Sequence, residues 1–245
     1  MKLRNVIIFV IFTLSLFSRL YAENNYKVHL NPTGETVKNN ISDDSEETLF
    51  ILDYSNSMNE YINEKTKYDM LLSSLKLILT KISFKNKTGV RLYGQRWGLT
   101  PLDACKATKL IVPIGVNSPE TIFTSLSKYS PKGMTPITYS LKQALLKDFT
   151  HDMSIKKHII LITDGGENCD ESPCKYAMEL VKYRKDVTID VIAFNIFDSE
   201  DLDQLECVAK VTKGKFYNAE TQAELVRSIN HAFKPKKSVD AKIIK

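Results

Sequence analysis

Residues 49–60, LFILDYSNSMNE, place four consecutive apolar residues directly before Asp53, Ser55 and Ser57. A short continuous apolar run of this kind is typical of a buried strand. Asp, Ser and Asn are also common turn residues, so a simple turn after the strand is one interpretation of these polar residues. The other interpretation is that the alternating oxygen-bearing side chains form a binding site. The residues directly after the other strands decide between the two.

Strand-like and helix-like segments alternate over residues 48–233, which we predict to be one domain without an internal repeat. Apolar residues three and four positions apart indicate the helices, and a proline or a capping box marks several of their starts. This alternation predicts a parallel sheet with helices on both faces. The predicted strands are 48–53, 89–93, 109–114, 158–163, 188–194 and 214–218, and the predicted helices begin near Tyr68, Ser118, Pro136, Ser172, Asp201 and Thr221.

Oxygen-bearing side chains follow other predicted strands too. Asp164 ends an apolar run, and Gly165 and Gly166 then let the backbone turn sharply. Thr135 lies in a loop directly before a predicted helix. Because ligands of such folds bind beyond the carboxyl ends of the strands, these loops can meet at one edge. Carboxylates and hydroxyls suit a hard cation, Mg²⁺, Mn²⁺ or Ca²⁺. The candidate metal-site residues are Asp53, Ser55, Ser57, Thr135 and Asp164.

Three segments carry a resemblance to a known family. DYSNS (53–57), GMTPI (133–137) and LITDGGE (161–167) resemble the three parts of the metal-ion-dependent adhesion site of von Willebrand factor type A (VWA) domains. The resemblance covers roughly residues 49–233, and the three motifs occur in the expected order. More narrowly, YGQR (93–96) and KFYNA (215–219) are similar to segments of exported bacterial proteins with a lone domain of this type.

The resemblance implies an α/β fold, a doubly wound, mostly parallel six-stranded sheet with helices on both faces, Rossmann-like in type. It also implies that Ser55 and Ser57 coordinate a divalent cation directly and that Thr135 reaches it directly or through water. Asp53 and Asp164 would act largely through bound waters. A carboxylate from a partner protein would fill the remaining position, so the protein would be a binding module and not an enzyme.

Two other functions stay open from the residues. One is a metal-dependent hydrolase that uses Asp53 and Asp164, although such an enzyme would place a second carboxylate where this chain has Ser55. The other is a structural assembly protein in which the metal site is vestigial.

The two ends of the chain have a different character from the domain. Residues 1–22 combine a basic start with an apolar core at 6–17, which predicts a signal peptide or an uncleaved N-terminal anchor, and hence export to the periplasm or the medium. Residues 23–47 read as a flexible lead with one short strand at 26–30, and residues 234–245 as a basic tail. Membrane contact is expected only through the N-terminal segment or this tail.

The charge balance does not favour nucleic-acid binding. The 34 Lys and Arg residues fall to 31 without Lys2, Arg4 and Arg19, against 29 Asp and Glu. A nucleic-acid-binding domain would carry a clustered basic surface, which a nearly neutral domain does not suggest.

Four cysteines in an exported chain predict two disulfides. Cys169 and Cys174 are close enough in sequence to close a small loop, and Cys105–Cys207 follows by elimination. A zinc site is the competing interpretation, but the sequence has no second closely spaced cysteine pair and its histidines are scattered.

Overall fold

The computed structural model describes residues 46–80 and 87–233. The predicted signal segment, residues 23–45 of the predicted lead with its short strand, and the basic tail lie outside the described residues. Glu46 and Glu47, predicted to belong to the flexible lead, instead begin the first strand. The strands are β1 (Glu46–Asp53), β2 (Tyr61–Ile62), β3 (Lys65–Thr66), β4 (Lys87–Tyr93), β5 (Thr108–Gly115), β6 (Lys156–Thr163), β7 (Val187–Phe194) and β8 (Phe216–Ala219). The α-helices are α1 (Lys67–Leu79), α2 (Pro101–Ala104), α3 (Pro119–Leu126), α4 (Ile137–Gln143), α5 (Pro173–Tyr183), α6 (Ser199–Val211) and α7 (Gln222–Phe233).

Six of the strands form one sheet in the order β5-β4-β1-β6-β7-β8. All neighbouring strands run parallel except β5, which is antiparallel to β4 at the edge. The chain moves outward from β1 on one side and returns to build β6, β7 and β8 on the other. The doubly wound, mostly parallel six-stranded sheet predicted from the sequence is therefore confirmed.

Both faces of the sheet are covered, and β1 shows why its apolar run is continuous. Successive side chains of a strand point to opposite faces, so Phe50 and Leu52 pack on one side while Leu49 and Ile51 pack on the other. The first core contains residues of α1, α3 and α7, and the second contains residues of α4, α5 and α6. Each such buried side chain contributes about 1.5–3 kcal/mol relative to exposure, which fixes the register of this strand.

The last strand begins later than predicted. Residues 214 and 215 do not belong to β8, which starts at Phe216. Lys213 has a φ of 61°, and the Gly214 N–H donates to the carbonyl of Ala209, so these residues close α6. A Cβ at Gly214 would lie 1.9 Å from the Ile189 carbonyl oxygen, and only glycine fits there.

The predicted disulfide pairing is wrong. The structure joins Cys105 to Cys169 and Cys174 to Cys207. Cys174 lies in the first turn of α5, which packs against α6, the helix that carries Cys207. Cys169 lies in the loop before α5 and meets the loop between β4 and β5. A helix start therefore separates the two cysteines that are neighbours in sequence.

No helix within residues 46–80 and 87–233 is long and apolar enough to cross a membrane.

Candidate metal centre

The two central strands of the sheet end in the predicted site residues. Asp53 is the last residue of β1, and Asp164 directly follows β6. These two strands are adjacent, with Leu52 opposite Ile162. The chain order also reverses between them, so a crevice opens at their carboxyl ends. The fold thus places both carboxylates at the position where ligands of doubly wound sheets bind.

Two hydrogen bonds connect three oxygen atoms from two loops at this edge, with the Ser57 hydroxyl in the middle. The Ser55 and Ser57 hydroxyl oxygens are 3.0 Å apart. The Ser57 hydroxyl donates to Asp164 Oδ1 over 2.8 Å, joining the first loop to the second across 107 positions of sequence. The structure therefore brings Ser55, Ser57 and Asp164 together as the sequence predicts.

The Thr135 loop is attached to the first loop through the backbone. The Asn56 N–H donates to the carbonyl of Gly133 over 3.0 Å, and the Gly133 N–H donates to the carbonyl of Gly94 over 2.7 Å. Gly94 has a φ of 71°, and a Cβ there would lie 2.6 Å from the Ser55 backbone nitrogen. Only glycine permits this approach, so Gly94 holds two site loops side by side.

Both carboxylate oxygens of Asp53 bond to neighbouring protein groups, so Asp53 holds the site loops in place. Its Oδ1 accepts the Ser55 N–H over 2.7 Å, and its Oδ2 accepts the Thr163 hydroxyl over 2.9 Å. Its side chain is fully buried. Burial raises the pKa of Asp53 to about 7, and the nearby Asp164 charge acts in the same direction. With both oxygens engaged by the protein, Asp53 shapes the first loop and adds negative charge beneath it.

Lys67 belongs to the site, although the sequence pattern did not predict it. Its ammonium donates to Asp164 Oδ2 over 3.0 Å and to Glu60 Oε2 over 2.8 Å, and the side chain is buried. Lys67 is the first residue of α1, where its amphipathic pattern gives no reason to expect a buried charge. Among these buried side chains, Asp53 and Asp164 oppose a single cation, so the site carries a net negative charge once both acids ionise.

The segment after Asp164 holds the Thr135 loop in place. Asn168 Oδ1 accepts the Thr135 N–H over 2.7 Å, and Glu167 Oε2 accepts the Thr138 N–H over 2.7 Å. Burial raises the pKa of Glu167. The sequence marks this segment through its glycines and its motif, but the support it gives to Thr135 is visible only in three dimensions.

Comparisons with known proteins identify relatives of low sequence identity and solved structures with the same fold. A scan against protein-family models gives no match. The uncharacterized protein YwmC of Bacillus subtilis (strain 168) is 26% identical over 178 residues, which span 71% of this chain and 77% of YwmC. Among solved structures, the SpRpn10 VWA domain superposes with a TM-score of 0.58 at 11% identity, over 76% of this chain and 94% of that one.

The chain has the von Willebrand factor type A fold. Proximal thread matrix protein 1 from the mussel byssus, in a structure with a zinc-occupied MIDAS motif (metal-ion-dependent adhesion site), gives a TM-score of 0.57 at 20% identity. The similarity covers 76% of this chain and 44% of that one. At these identities, the superpositions establish the shared fold.

At the edge of the sheet where β1 and β6 end, the spacing of the hydroxyl oxygens fits a small divalent cation. An octahedral ion with bonds of about 2.1 Å requires adjacent ligand oxygens about 3.0 Å apart. The Ser55 and Ser57 hydroxyl oxygens, the two predicted direct ligands that contact each other, match that spacing at 3.0 Å. The residues present therefore fit the kind of ion that the fold implies.

Proposed function

We propose that this protein is an exported VWA binding module that docks an acidic residue of a protein partner through Mg²⁺, or Mn²⁺ in its place. Ser55, Ser57 and Thr135 would hold the ion, and Asp53 and Asp164 would hold its waters. The observation that carries the proposal is the close grouping of Ser55 Oγ, Ser57 Oγ and Asp164 Oδ1 at the switch point of the sheet.

The charge of the site supports a carboxylate as the ligand. Neutral hydroxyls dominate the donor set, and the buried Lys67 offsets one of the two carboxylates. A bound dication would therefore leave the site with net positive charge, which favours an external anion. Mg²⁺ rarely sits in an all-protein cage and keeps positions for outside oxygens, so a partner carboxylate can complete its octahedron.

The hydrogen bonds of Asp53 argue against the hydrolase alternative. A nucleophilic or basic carboxylate must aim a free oxygen at its substrate. Both Asp53 oxygens accept bonds from the fold, and Asp164 bonds to Ser57 and Lys67. We therefore propose that the metal anchors a ligand and that no turnover follows.

Export is supported by the two disulfides, Cys105–Cys169 and Cys174–Cys207. Disulfides form and persist in oxidising compartments and are rare in the cytosol of most organisms. We propose that the chain works outside the cytoplasm, in the periplasm or the medium.

Calorimetric titration of the chelator-treated full chain with Mg²⁺, Mn²⁺ and Ca²⁺ tests the metal site. We expect one site for Mg²⁺ and Mn²⁺, lost when Ser55→Ala and Ser57→Ala are combined. Ser127→Ala, an exposed serine at the end of α3, is the matched control and should bind as the wild type does. Unchanged binding in the double variant would refute the site.

Panning a random-peptide library on the immobilised chain in Mg²⁺, with elution by EDTA, tests the docking function. We expect the eluted peptides to share an Asp or Glu whose replacement by Asn or Gln abolishes binding. Eluted peptides without a required carboxylate would contradict the proposal.

A further inference from the structure

Three large apolar side chains stand exposed between β4 and β5. Trp97, Leu99 and Leu102 are 69%, 98% and 78% exposed. All three belong to residues 94–107, between β4 and β5, which we call the rim loop. Burying a fully exposed Leu or a Trp is worth about 1.5 kcal/mol or more, so leaving three of them in water is costly. Such a group of exposed apolar residues is typical of an interaction surface.

The rim loop is held rigidly in this open arrangement. The Arg96 guanidinium forms two bonds to the Asp103 carboxylate, of 2.8 and 2.7 Å. The Leu99 N–H donates to Asp103 Oδ2 over 3.0 Å, and Thr100 caps the short helix α2. The Cys105–Cys169 disulfide then joins the rim loop to the loop that follows Asp164. These bonds tie the backbone of the rim loop to itself and to the neighbouring loop while its apolar side chains face solvent.

A cavity of about 410 Å³ lies between the rim loop and sequence neighbours of the candidate metal-site residues. Trp97, Leu99 and Pro101 line one side of it. Asn56, which lies between Ser55 and Ser57, and Met134, which precedes Thr135, line the other side. A ligand anchored at the metal therefore has an apolar recess directly next to its anchor.

A positive charge at the edge of the cavity favours a partner with acidic side chains. Lys132 is exposed and lines the same cavity. The cavity thus combines apolar walls with the positive charge of Lys132 and of the proposed metal ion nearby. This combination is complementary to a peptide segment that carries both acidic and apolar side chains. The cavity volume of about 410 Å³ is large enough to take one apolar side chain of a peptide.

We propose that the rim loop is a second contact site for the partner that docks at the metal. The occupant is one exposed peptide segment of a protein, with a carboxylate for the metal and a large apolar side chain nearby for the cavity. This inference rests on the proposed function. The metal supplies the anchor, and the recess formed by Trp97 and Leu99 selects which acidic segments bind.

Trp97 is the only tryptophan of the chain, so its fluorescence reports directly on the rim loop. Peptides recovered by panning in Mg²⁺ and EDTA elution would be titrated into the full chain while Trp97 emission is followed. We expect the recovered peptides to share a large apolar residue at a fixed distance from the acidic one. Binding should shift the Trp97 emission, and Mg²⁺ alone should not.

Two variants test the contact. Leu99→Ala keeps Trp97, so its peptide binding can be followed by fluorescence, whereas Trp97→Ala removes the fluorophore and is followed by calorimetry. We expect each to weaken peptide binding about tenfold or more, while Mg²⁺ affinity stays unchanged. Replacing the apolar peptide residue by alanine should cost little further in these variants, because the two changes remove one contact. Leu146→Ala, an exposed leucine outside the rim loop, is the matched control.

The outcomes separate the two proposals. Acidic peptides that bind in an EDTA-sensitive way, without an apolar requirement or a change in Trp97 emission, would overturn the rim-loop inference and leave the metal docking intact. Failure to recover any EDTA-eluted acidic peptide would overturn both. Self-association of the chain or binding to lipid vesicles that is lost in Trp97→Ala, without peptide binding, would assign the rim loop to a different occupant and refute the inference.

Discussion

Replacing Asp53 by asparagine should stabilise the metal-free protein at alkaline pH while abolishing metal binding. Asp53 is fully buried, no cationic side chain within residues 46–80 and 87–233 is hydrogen-bonded to it, and its pKa is raised from 3.8 to about 7. Asparagine has the same shape, and its amide oxygen can still accept the Ser55 N–H. Its amide nitrogen can donate to the Thr163 hydroxyl. The variant therefore removes the buried charge and keeps most of the local hydrogen bonds.

The magnitude follows from the pKa of Asp53. Below about pH 3 the carboxyl is protonated in the folded and the unfolded chain, so it has no pH-dependent effect on folding. Between about pH 4 and 7 the unfolded chain releases this proton and the folded chain retains it, so stability falls as the pH rises. Above about pH 7 the full cost is present, roughly 4 kcal/mol at about 1.4 kcal/mol per pH unit.

Urea unfolding in EDTA, followed by circular dichroism at pH 5 and pH 8, measures this effect. We expect the stability advantage of Asp53→Asn over the wild type to grow by roughly 2–3 kcal/mol between these two pH values. Adding Mg²⁺ should stabilise the wild type at pH 8 and leave the variant unchanged. Asp170→Asn, at an exposed position with a φ of 56° that asparagine tolerates, should follow the wild type. A wild-type-to-variant difference that does not change with pH would refute the reasoning.

Two further predictions concern residues that the tertiary structure assigns. Lys67→Met should tighten Mg²⁺ binding about tenfold in calorimetry, because it removes an ammonium that is bonded to Asp164 beside the proposed metal position. An ammonium and a dication about 5 Å apart repel each other by about 1.7 kcal/mol even in a water-like dielectric. Lys65→Met, on the neighbouring hairpin, should not change it, and equal effects of the two would contradict a local role for Lys67. Replacing Cys174 and Cys207 by serine should lower the free energy of unfolding by about 4 kcal/mol, because the disulfide closes a loop with a sequence separation of 33 residues. Peptide mapping without reduction checks the pairing itself. A peptide that links Cys174 to any other cysteine would show that the pairing is wrong.

The sequence alone determined the sheet and the oxygen residues at its edge. The apolar run before Asp53 and the one before Asp164 are local patterns, and a parallel sheet necessarily brings the carboxyl ends of its neighbouring strands to the same edge. Once the alternation of strands and helices is recognised, the convergence of the two loops follows from topology. The grouping of Ser55, Ser57 and Asp164 therefore needed no knowledge of side-chain packing.

Tertiary structure alone showed the buried charge of Lys67, the pairing of the disulfides and the exposure of Trp97 in the rim loop. Lys67 opens an amphipathic helix, and its burial depends on where that helix starts relative to the crevice. The disulfides depend on which loops and helices face each other, so nearness in sequence misled the pairing of Cys169. The exposure of Trp97 depends on the bonds that hold the rim loop open. Each of these properties arises from contacts between segments far apart in the chain, and local sequence patterns do not encode them.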